Sequence, residues 1–397
     1  MLKVKIPNKQ KESFLVFFLE PTLASTLAAT CRRARCSYLL STVERIVHAL
    51  HSHRSYSGML DRVIVGRPPC TEELLSYGGR WAHEPQLGFT YHPHRCELKR
   101  HSAADVRRCL QGRHLLFFGD SISRYLYLLL ARLLVVGEWP DDASLLRGNS
   151  TCHEASWYDN WSGTLRAKGL IPFERDHWRN YFTGTNAELN GHELCDCYRE
   201  WCCEEAHLTE NRFFRSRGVQ LSYVTQITRP SWQPHGHVVP GTHAEMRAAL
   251  KCAPGECAAP SAWRFDSVEF MSEGLSALQV TDAILSTGHH WRPSQAPDGY
   301  LKRLLLSAAS NRSRRVWWRL PSASRDDIKR QRTDPDEAMM RRLAKQLPVW
   351  VIDTNMPTLA LETLPQWGGA FVEGDRAHFV CSIYRELHML LLSSICT

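Results

Sequence analysis

A serine, a histidine and an aspartate occur in this sequence at positions where they can form a catalytic triad. Ser121 ends the run Gly119-Asp120-Ser121, directly after an apolar stretch. Near the other end of the chain, Asp375 and His378 are three residues apart, a spacing that puts both side chains on one face of a turn or helix. A serine hydroxyl becomes a nucleophile when a histidine takes its proton and a carboxylate orients that histidine. The pattern therefore indicates chemistry through an acyl-serine.

Both halves of this pattern also have a purely structural interpretation. Asp120 and Ser121 precede an apolar helix, and Asp and Ser are favoured there because their side chains cap the first turn. An Asp-x-x-His spacing often arises by chance in a chain with 19 histidines. The order along the chain, with Asp375 and His378 close to the C-terminus, favours the catalytic interpretation.

The hydrophobic pattern around these residues predicts an α/β fold. Residues 114–118 predict a buried strand, and residues 121–136 predict a helix that is apolar almost all round and therefore lies inside the protein. Further strands are predicted at residues 219–225, 283–287, 315–320 and 348–353. Between the last two, a helix is predicted with Asp334 as its N-cap and Pro335 as its first residue. This succession of strand, helix and strand implies a right-handed crossover and a parallel sheet. Ser121 is then expected at the carboxyl end of a strand, where open parallel sheets bind their ligands.

Two long segments, 149–217 and 231–267, do not fit the pattern of strands and helices. They are rich in Trp, His, Cys, Gly and Pro, and are predicted to be loops that cover the sheet. Their aromatic side chains offer flat faces against which a polymer or glycan can be held.

Fourteen cysteines and three N-glycosylation sequons, at Asn149, Asn160 and Asn311, predict folding in the secretory lumen, where thiols can pair. Four local cysteine groups are predicted to close short loops: Cys31/Cys36, Cys195/Cys197/Cys202/Cys203, Cys252/Cys257 and Cys381/Cys396. The second group has an alternative interpretation as a zinc site. It lacks the separated cysteine pairs of a zinc ribbon, so we predict no metal.

The N-terminal part of the chain, residues 1–70, is interpreted as a signal or anchor followed by a stem, and residues 71–397 as the catalytic domain. Residues 13–30 are mostly apolar, but Glu20 and Pro21 interrupt them, which favours a cleaved signal or an imperfect membrane anchor over a robust span. An ordinary buried helix is the alternative. The net charge of +8 is scattered and no nucleic-acid motif occurs, so no nucleic-acid partner is predicted.

The block WAHEPQLGFTYHPHRCELKRHSAADVRRCLQGRHLLFFGDSISRY resembles the PC-esterase proteins, which include the plant trichome-birefringence-like polysaccharide O-acetyltransferases and, more distantly, animal sialic acid O-acetyltransferases. The shared pattern is a Trp-containing lead-in, a Cys-x-Leu element and a strand that ends in Gly-Asp-Ser-x-x-Arg. The matching residues here are Trp81, Cys96, Leu98, Gly119, Asp120, Ser121 and Arg124. Asp375 and His378 match the family's C-terminal Asp-x-x-His, and STGHHW at 286–291 is similar to its Asn-Thr-Gly-His-Trp element.

This resemblance implies an SGNH-hydrolase-like fold, a flavodoxin-like parallel sheet sandwiched by helices, with long Cys- and Trp-rich loop insertions. It also implies a double displacement in which Ser121 is the nucleophile, His378 the base and Asp375 its orienting partner. The acetyl group would come from acetyl-CoA or another activated acetyl ester, with no tightly bound cofactor. The acceptor would be a carbohydrate hydroxyl, and the protein would reside in the Golgi lumen or be secreted.

The chain departs from the family pattern beside the expected oxyanion site. Ser286 replaces the asparagine of the plant element, so Ser286, His289 or a backbone N–H such as that of Gly288 has to supply the donor. Arg124 either supports the acyl oxyanion or anchors the helix through an ion pair with Asp120 or another carboxylate. After His378 the chain reads FVCSIYRELHMLL where the plant enzymes have Trp-Cys-Leu-Pro-Gly, which leaves the acceptor open.

Two further functions are compatible with the same residues. An acetyl or carboxyl esterase of this fold would form the same acyl-enzyme and pass the acyl group to water. A non-catalytic glycan-binding protein would retain the fold without using the triad. Separation of Ser121 from His378 and Asp375 in the structure would favour the latter.

Overall fold

The computed structural model describes residues 68–75, 77–143, 184–196, 211–225, 237–238, 264–265, 267–289, 294, 299–373 and 375–396. These residues all belong to the unit Pro68–Thr397. The strands are β1 (Gly79–Glu84), β2 (Gly88–Pro93), β3 (His114–Gly119), β4 (Glu193–Asp196), β5 (Asn211–Ser216), β6 (Val219–Thr225), β7 (His237–Val238), β8 (Arg264–Phe265), β9 (Asp282–Leu285), β10 (Arg315–Arg319) and β11 (Trp350–Ile352).

Helices alternate with these strands along the chain. They are α1 (Glu72–Leu75), α2 (Ala103–Leu110), α3 (Ser121–Val136), α4 (Ser267–Glu269), α5 (Leu275–Ala277), α6 (Tyr300–Ala308), α7 (Arg325–Arg330), α8 (Glu337–Gln346), α9 (Asn355–Leu359) and α10 (Cys381–Ile395). A π-helical turn, Phe270–Gly274, joins α4 to α5.

The main sheet of the described residues has seven strands in the order β11-β10-β9-β3-β6-β5-β4. Strands β11, β10, β9, β3 and β6 are parallel, which confirms the predicted α/β fold. Strand β3 is central, and all of its residues are buried. Because the parallel strands end at one edge, the residues that follow β3 and β9 come together there.

The prediction that residues 149–217 are loops is wrong where β4 and β5 extend the sheet in antiparallel orientation. Arg217 (φ 47°) and Gly218 (φ 80°) make the two-residue turn between β5 and β6, since positive φ at both positions suits a tight hairpin. A buried ion pair joins Arg212 to Glu193 at 3.1 Å. Strands β7 and β8 likewise form a short ladder within the second predicted loop segment.

Alternate residues of each strand face opposite sides of the sheet, and a layer of helices packs on each side. One layer contains α3 and α10, which pack with Phe117 and Tyr223. The other contains α6 and α8, which pack with Phe118 and Trp318. Helices therefore cover both faces, and α3 is buried along most of its length.

The helix predicted to have Asp334 as its N-cap and Pro335 as its first residue begins two residues later. Helix α8 starts at Glu337, and Asp336 is its N-cap residue. Asp334 instead uses its Oδ1 to accept a hydrogen bond from the Asp336 N–H at 3.0 Å, while its own N–H donates to Asn355 Oδ1 at 3.1 Å. These two bonds hold Asp334 in the turn before the helix.

Two disulfides lie among the described residues, Cys70–Cys96 and Cys109–Cys396. The predicted pairing of Cys381 with Cys396 is wrong, because α10 separates the two residues by about 22 Å along its axis. Cys396 instead joins the end of α10 to α2, and Cys381 takes part in another disulfide. The remaining predicted cysteine groups lie outside the described residues, apart from Cys195 in β4.

The described part of the chain contains no helix that is long and apolar enough to cross a membrane. The predicted signal or anchor at residues 13–30 lies outside the described residues, as do the sequons at Asn149 and Asn160. Asn311 is exposed in the turn between α6 and β10.

Candidate active site

The turn between β3 and α3 presents Ser121 at the carboxyl edge of the sheet. A side chain at Gly119 does not fit, since a Cβ there would lie 2.3 Å from Ser123 Oγ and 3.1 Å from the Ser286 carbonyl oxygen. Asp120 is the N-cap of α3, and its Oδ1 accepts hydrogen bonds from Ile122 N at 3.1 Å and Ser123 N at 3.4 Å. The capping interpretation of Asp120 is therefore correct, and it leaves Ser121 as the first residue of the helix.

Ser121, His378 and Asp375 meet in one hydrogen-bonded chain. Ser121 Oγ lies 2.6 Å from His378 Nε2, and His378 Nδ1 lies 2.6 Å from Asp375 Oδ2. The serine and histidine are 257 residues apart in sequence. With Nδ1–H donating to the carboxylate, Nε2 is left as an acceptor that faces the serine hydroxyl. This is the arrangement in which imidazole can take the serine proton.

Asp375 is fixed by the backbone that follows it. Its Oδ1 accepts hydrogen bonds from Ala377 N at 2.8 Å and His378 N at 3.1 Å, while Oδ2 is left for the imidazole. Hydrogen bonds between Val372 and His378 and between Val372 and Asp375 close this turn just before α10. The Asp-x-x-His spacing thus brings both functional groups onto one small turn.

Two tyrosines form a wall beside the imidazole. The Tyr125 ring meets the His378 ring edge to face, with 5.4 Å between centroids and an interplanar angle of 90°. Tyr384, on the first turn of α10, packs on Tyr125 at 5.5 Å and accepts a hydrogen bond from Phe379 N at 3.4 Å. Both tyrosines are buried, so the imidazole is held by packing as well as by Asp375.

Exposure falls from the serine toward the aspartate. Ser121 is half-buried, the His378 side chain is 17% exposed and the Asp375 side chain is 3% exposed. A substrate can therefore reach the hydroxyl and the imidazole edge, while the carboxylate stays away from water. A buried carboxylate interacts more strongly with the imidazolium that forms during proton transfer.

The Ser121 N–H makes no hydrogen bond to any residue within the described ranges. As the first residue of α3, Ser121 contributes one of the amide groups that a helix leaves without an internal partner, and the positive end of the helix dipole lies there. This amide is the group best placed to stabilise an oxyanion on an ester of Ser121.

The other expected oxyanion donors serve to position the nucleophile turn. Ser286 is buried, and its Oγ accepts a hydrogen bond from Gly288 N at 3.2 Å. Gly288 has a φ of +61°, and a Cβ there would lie 1.9 Å from Asp120 Oδ2. The His289 N–H donates to the same Asp120 oxygen at 3.2 Å, and the His289 side chain is exposed. Asp120 therefore joins the turn after β3 to the loop after β9.

Arg319, which sequence reasoning missed, lies beneath the same turn. It is buried at the end of β10, with Nη2 at 3.8 Å from Asp120 Oδ1 and 3.1 Å from Ser123 Oγ. Burial lowers the pKa of the Arg319 guanidinium, and the Asp120 carboxylate opposes that shift. The only signal in the sequence is an arginine that directly follows the apolar residues Val316 to Trp318 of the strand.

Arg124 is also buried, on the first turn of α3. Its Nη2 donates to the Tyr125 hydroxyl at 3.0 Å, and its guanidinium lies 4.8 Å from the centroid of the Tyr125 ring. Because Tyr125 packs against His378, this arginine supports the wall of the site.

A cavity of about 320 Å³ is lined in part by the two residues between Asp375 and His378. Gly288, His289, Arg332, Arg376 and Ala377 are among the residues that line it. Arg332 Nε is paired with Asp327 Oδ1 at 2.8 Å. The volume is at the lower end of the range for small-ligand sites, and most of the residues that line the cavity have polar side chains.

Among the described residues, no group of three or more His, Cys, Asp or Glu side chains is arranged to hold a metal ion. Comparison with known proteins adds no assignment: no family model matches the chain, and no curated protein matches it at a significant level.

Proposed function

We propose that this protein is a glycan O-acetyltransferase of SGNH-like architecture that carries the acetyl group on Ser121. The observation on which the proposal rests is the chain of two 2.6 Å hydrogen bonds from Ser121 Oγ through His378 to Asp375. The resemblance to PC-esterase proteins supports the choice of acetyl transfer, since the same three residues match that family's motifs.

In the first half of the reaction, His378 Nε2 takes the Ser121 proton as Oγ attacks the carbonyl carbon of an acetyl ester or thioester. The carbonyl oxygen becomes an oxyanion that accepts a hydrogen bond from Ser121 N–H. Collapse of this intermediate breaks the bond to the leaving group, which receives the proton from His378. The products are acetyl-Ser121 and the deacylated donor, such as free CoA.

In the second half, a sugar hydroxyl attacks the acetyl-serine carbonyl while His378 takes its proton. Collapse of the second oxyanion breaks the bond to Ser121 Oγ, which recovers a proton from His378. The triad returns to its starting state and the acetyl group leaves as a sugar ester. Throughout, Asp375 holds the imidazole and stabilises its transient positive charge.

Hydrolysis of the same acyl-enzyme is the second candidate, because the partly exposed His378 side chain can also activate water. The polar cavity beside Gly288, His289 and Ala377 favours a hydroxyl-bearing acceptor in that position. The two disulfides and the exposed sequon at Asn311 support action in the secretory lumen.

The partition of the acyl group between water and sugar tests the proposal. Protein acetylated with an activated ester is desalted and divided between buffer and a mixture of neutral and acidic oligosaccharides, and acetylated sugars are measured by mass spectrometry. We expect the acetyl group to leave faster with oligosaccharide and to appear on sugar. Loss at one rate in both samples, with free acetate as the product, would identify a hydrolase.

A further inference from the structure

The loop after β9 contributes an exposed imidazole, that of His289, to the cavity that Arg376 and Ala377 also line. The backbone of His289 is fixed, because its N–H donates to Asp120 Oδ2 at 3.2 Å. Its ring is not held in this way, since neither ring nitrogen is hydrogen-bonded to another residue in the described part of the chain. An exposed ring on a fixed backbone is available to a ligand.

Two observations place His289 beside the catalytic groups. Asp120 Oδ1 accepts a hydrogen bond from Ile122 N at 3.1 Å, so a single carboxylate joins His289 to the turn that presents Ser121. The surrounding protein desolvates the His289 ring and lowers its pKa, while the Asp120 carboxylate raises that pKa and the charge of His378 lowers it. Because charge interactions weaken with distance, both groups lie near the His289 ring.

The His289 ring has the hydrogen-bonding character of a sugar hydroxyl's partner. Its pKa lies below the ordinary value for histidine, so the ring is uncharged at neutral pH. A neutral imidazole has one donor and one acceptor nitrogen. A sugar hydroxyl likewise donates and accepts, and one that is bound to this ring lies close to His378.

The formal charges around the cavity balance. Arg332 and Arg376 bring two positive charges, and Asp327 and Asp334 bring two negative charges. Asp327 Oδ1 accepts a hydrogen bond from Arg332 Nε at 2.8 Å, and Asp334 Oδ1 accepts one from Asp336 N at 3.0 Å. With no net charge, the described lining does not favour an anion over a neutral ligand.

Most of the uncharged polar side chains of the cavity are already engaged or out of reach. Besides His289, they are Thr287, Ser322, Ser324, Thr333 and Asn355. Asn355 Nδ2 donates to the Pro321 carbonyl at 2.9 Å, Ser324 Oγ donates to Asp327 Oδ2 at 2.6 Å, and Thr287 and Ser322 are buried. Among the described residues this leaves Thr333 and His289, of which only His289 is bonded to the N-cap of α3.

We infer that the His289 imidazole binds the carbohydrate acceptor, by hydrogen bonds to a hydroxyl next to the one that attacks acetyl-Ser121. The inference rests on the proposed function, because this acceptor is the sugar of the second half-reaction. A sugar held in this way brings its attacking hydroxyl toward His378 Nε2, which takes the proton. The ring thus favours transfer to sugar over transfer to water.

The ring of His289 can be tested apart from its backbone. His289→Leu removes the ring hydrogen bonds but keeps the N–H that donates to Asp120, so acetylation of Ser121 by p-nitrophenyl acetate should keep its rate. Transfer from the acetyl-enzyme to sugar should fall about tenfold or more, because two neutral hydrogen bonds to the acceptor are lost. His289→Gln keeps one donor and one acceptor and should transfer faster than His289→Leu.

The acceptors are xylohexaose, hexagalacturonate, sialyllactose and methanol, each offered to the acetylated protein in competition with water. Mass spectrometry measures the acetylated sugar, and gas chromatography measures methyl acetate and acetate. Methanol has no second hydroxyl, so its share of the acetyl group should be equal in the parent and in His289→Leu. The matched control is His94→Leu, the same change at an exposed position that does not line the cavity, and its transfer to sugar should equal that of the parent.

Melting temperature confirms that each variant is folded. Transfer to sugar at the parent rate in His289→Leu would overturn the inference while the proposed function stands. A lower rate of acetylation, or an equal fall in transfer to methanol, would place the His289 ring in the acyl-transfer chemistry and would also overturn it. If the parent is acetylated on Ser121 but passes the acetyl group to none of the three sugars, the proposed function fails and the inference fails with it.

Discussion

Replacement of Asp375 by asparagine should leave the fold intact and nearly abolish turnover, because it reverses the tautomer of His378. Asp375 Oδ1 accepts two backbone hydrogen bonds, at 2.8 and 3.1 Å, and Oδ2 accepts one from His378 Nδ1 at 2.6 Å. An asparagine will keep its oxygen toward the two amides, since a flip would exchange two good hydrogen bonds for contacts between donors. Its NH₂ group then faces Nδ1 and must donate to it.

With Nδ1 turned into an acceptor, the neutral imidazole carries its proton on Nε2. That proton points at Ser121 Oγ, 2.6 Å away, so the imidazole cannot take the serine proton. A wrong tautomer in a serine triad lowers kcat about 10⁴-fold. At about 1.36 kcal/mol for each factor of ten, this corresponds to about 5.4 kcal/mol in the activation barrier.

The assay is hydrolysis of p-nitrophenyl acetate under saturating conditions, with melting temperature as the measure of folding. Asp326→Asn is the matched control, because it removes the same charge from a half-exposed residue in the first turn of α7 and should leave kcat unchanged. If folded Asp375→Asn protein retained kcat within tenfold of the parent, Asp375 would not set the tautomer and the argument would be refuted.

Three further outcomes are expected. Gly288→Ala should lower both activity and melting temperature, because its Cβ would lie 1.9 Å from Asp120 Oδ2 and the position has positive φ. An unchanged kcat in this variant would show that the loop after β9 does not position the nucleophile turn. Burial lowers the pKa of His114 to about 4 and that of His388 to about 3, so the unfolded chain binds two more protons between those values and the ordinary histidine pKa of about 6.5. The free energy of unfolding that these two histidines contribute is fully present above pH 6.5 and is lost as the pH falls, by about 2.7 kcal/mol per pH unit near pH 5. Urea unfolding at pH 7 and pH 5 measures this loss, and equal stability at the two pH values would contradict it. Cys109→Ser should destabilise the protein by about 2–5 kcal/mol in non-reducing conditions by freeing the end of α10, and an unchanged urea midpoint would show that this disulfide contributes nothing.

The parts of the fold that the sequence predicts well are those whose signal is local. The apolar run before Gly119 predicts β3, and the apolar run after Asp120 predicts α3, because a buried strand and a buried helix need little else. Likewise Asp375 and His378 lie within one turn, so their spacing in sequence already indicates that the two side chains are close together. Their approach to Ser121 follows only from the parallel order of the strands.

The features that were missed depend on partners far away in sequence. Strands β4 and β5 contain Glu193 and Arg212, whose charges hide the strand pattern until the two are seen to neutralise each other in the interior. Arg319 looks like the end of a strand, and only the pairing of β10 with β9 and β9 with β3 brings it beneath Asp120. Cys396 pairs across 287 residues of sequence with Cys109, which no local spacing can indicate.

Formation of an acetyl-enzyme on Ser121 tests the central claim most directly. The purified protein and its Ser121→Ala variant are exposed to an activated acetyl ester, quenched in acid and compared by intact mass, with peptide mapping of any adduct. The account predicts one added acetyl group on Ser121 in the parent and none in the variant. A folded parent protein that gains no acetyl group, or an adduct of equal amount in the variant, would contradict it.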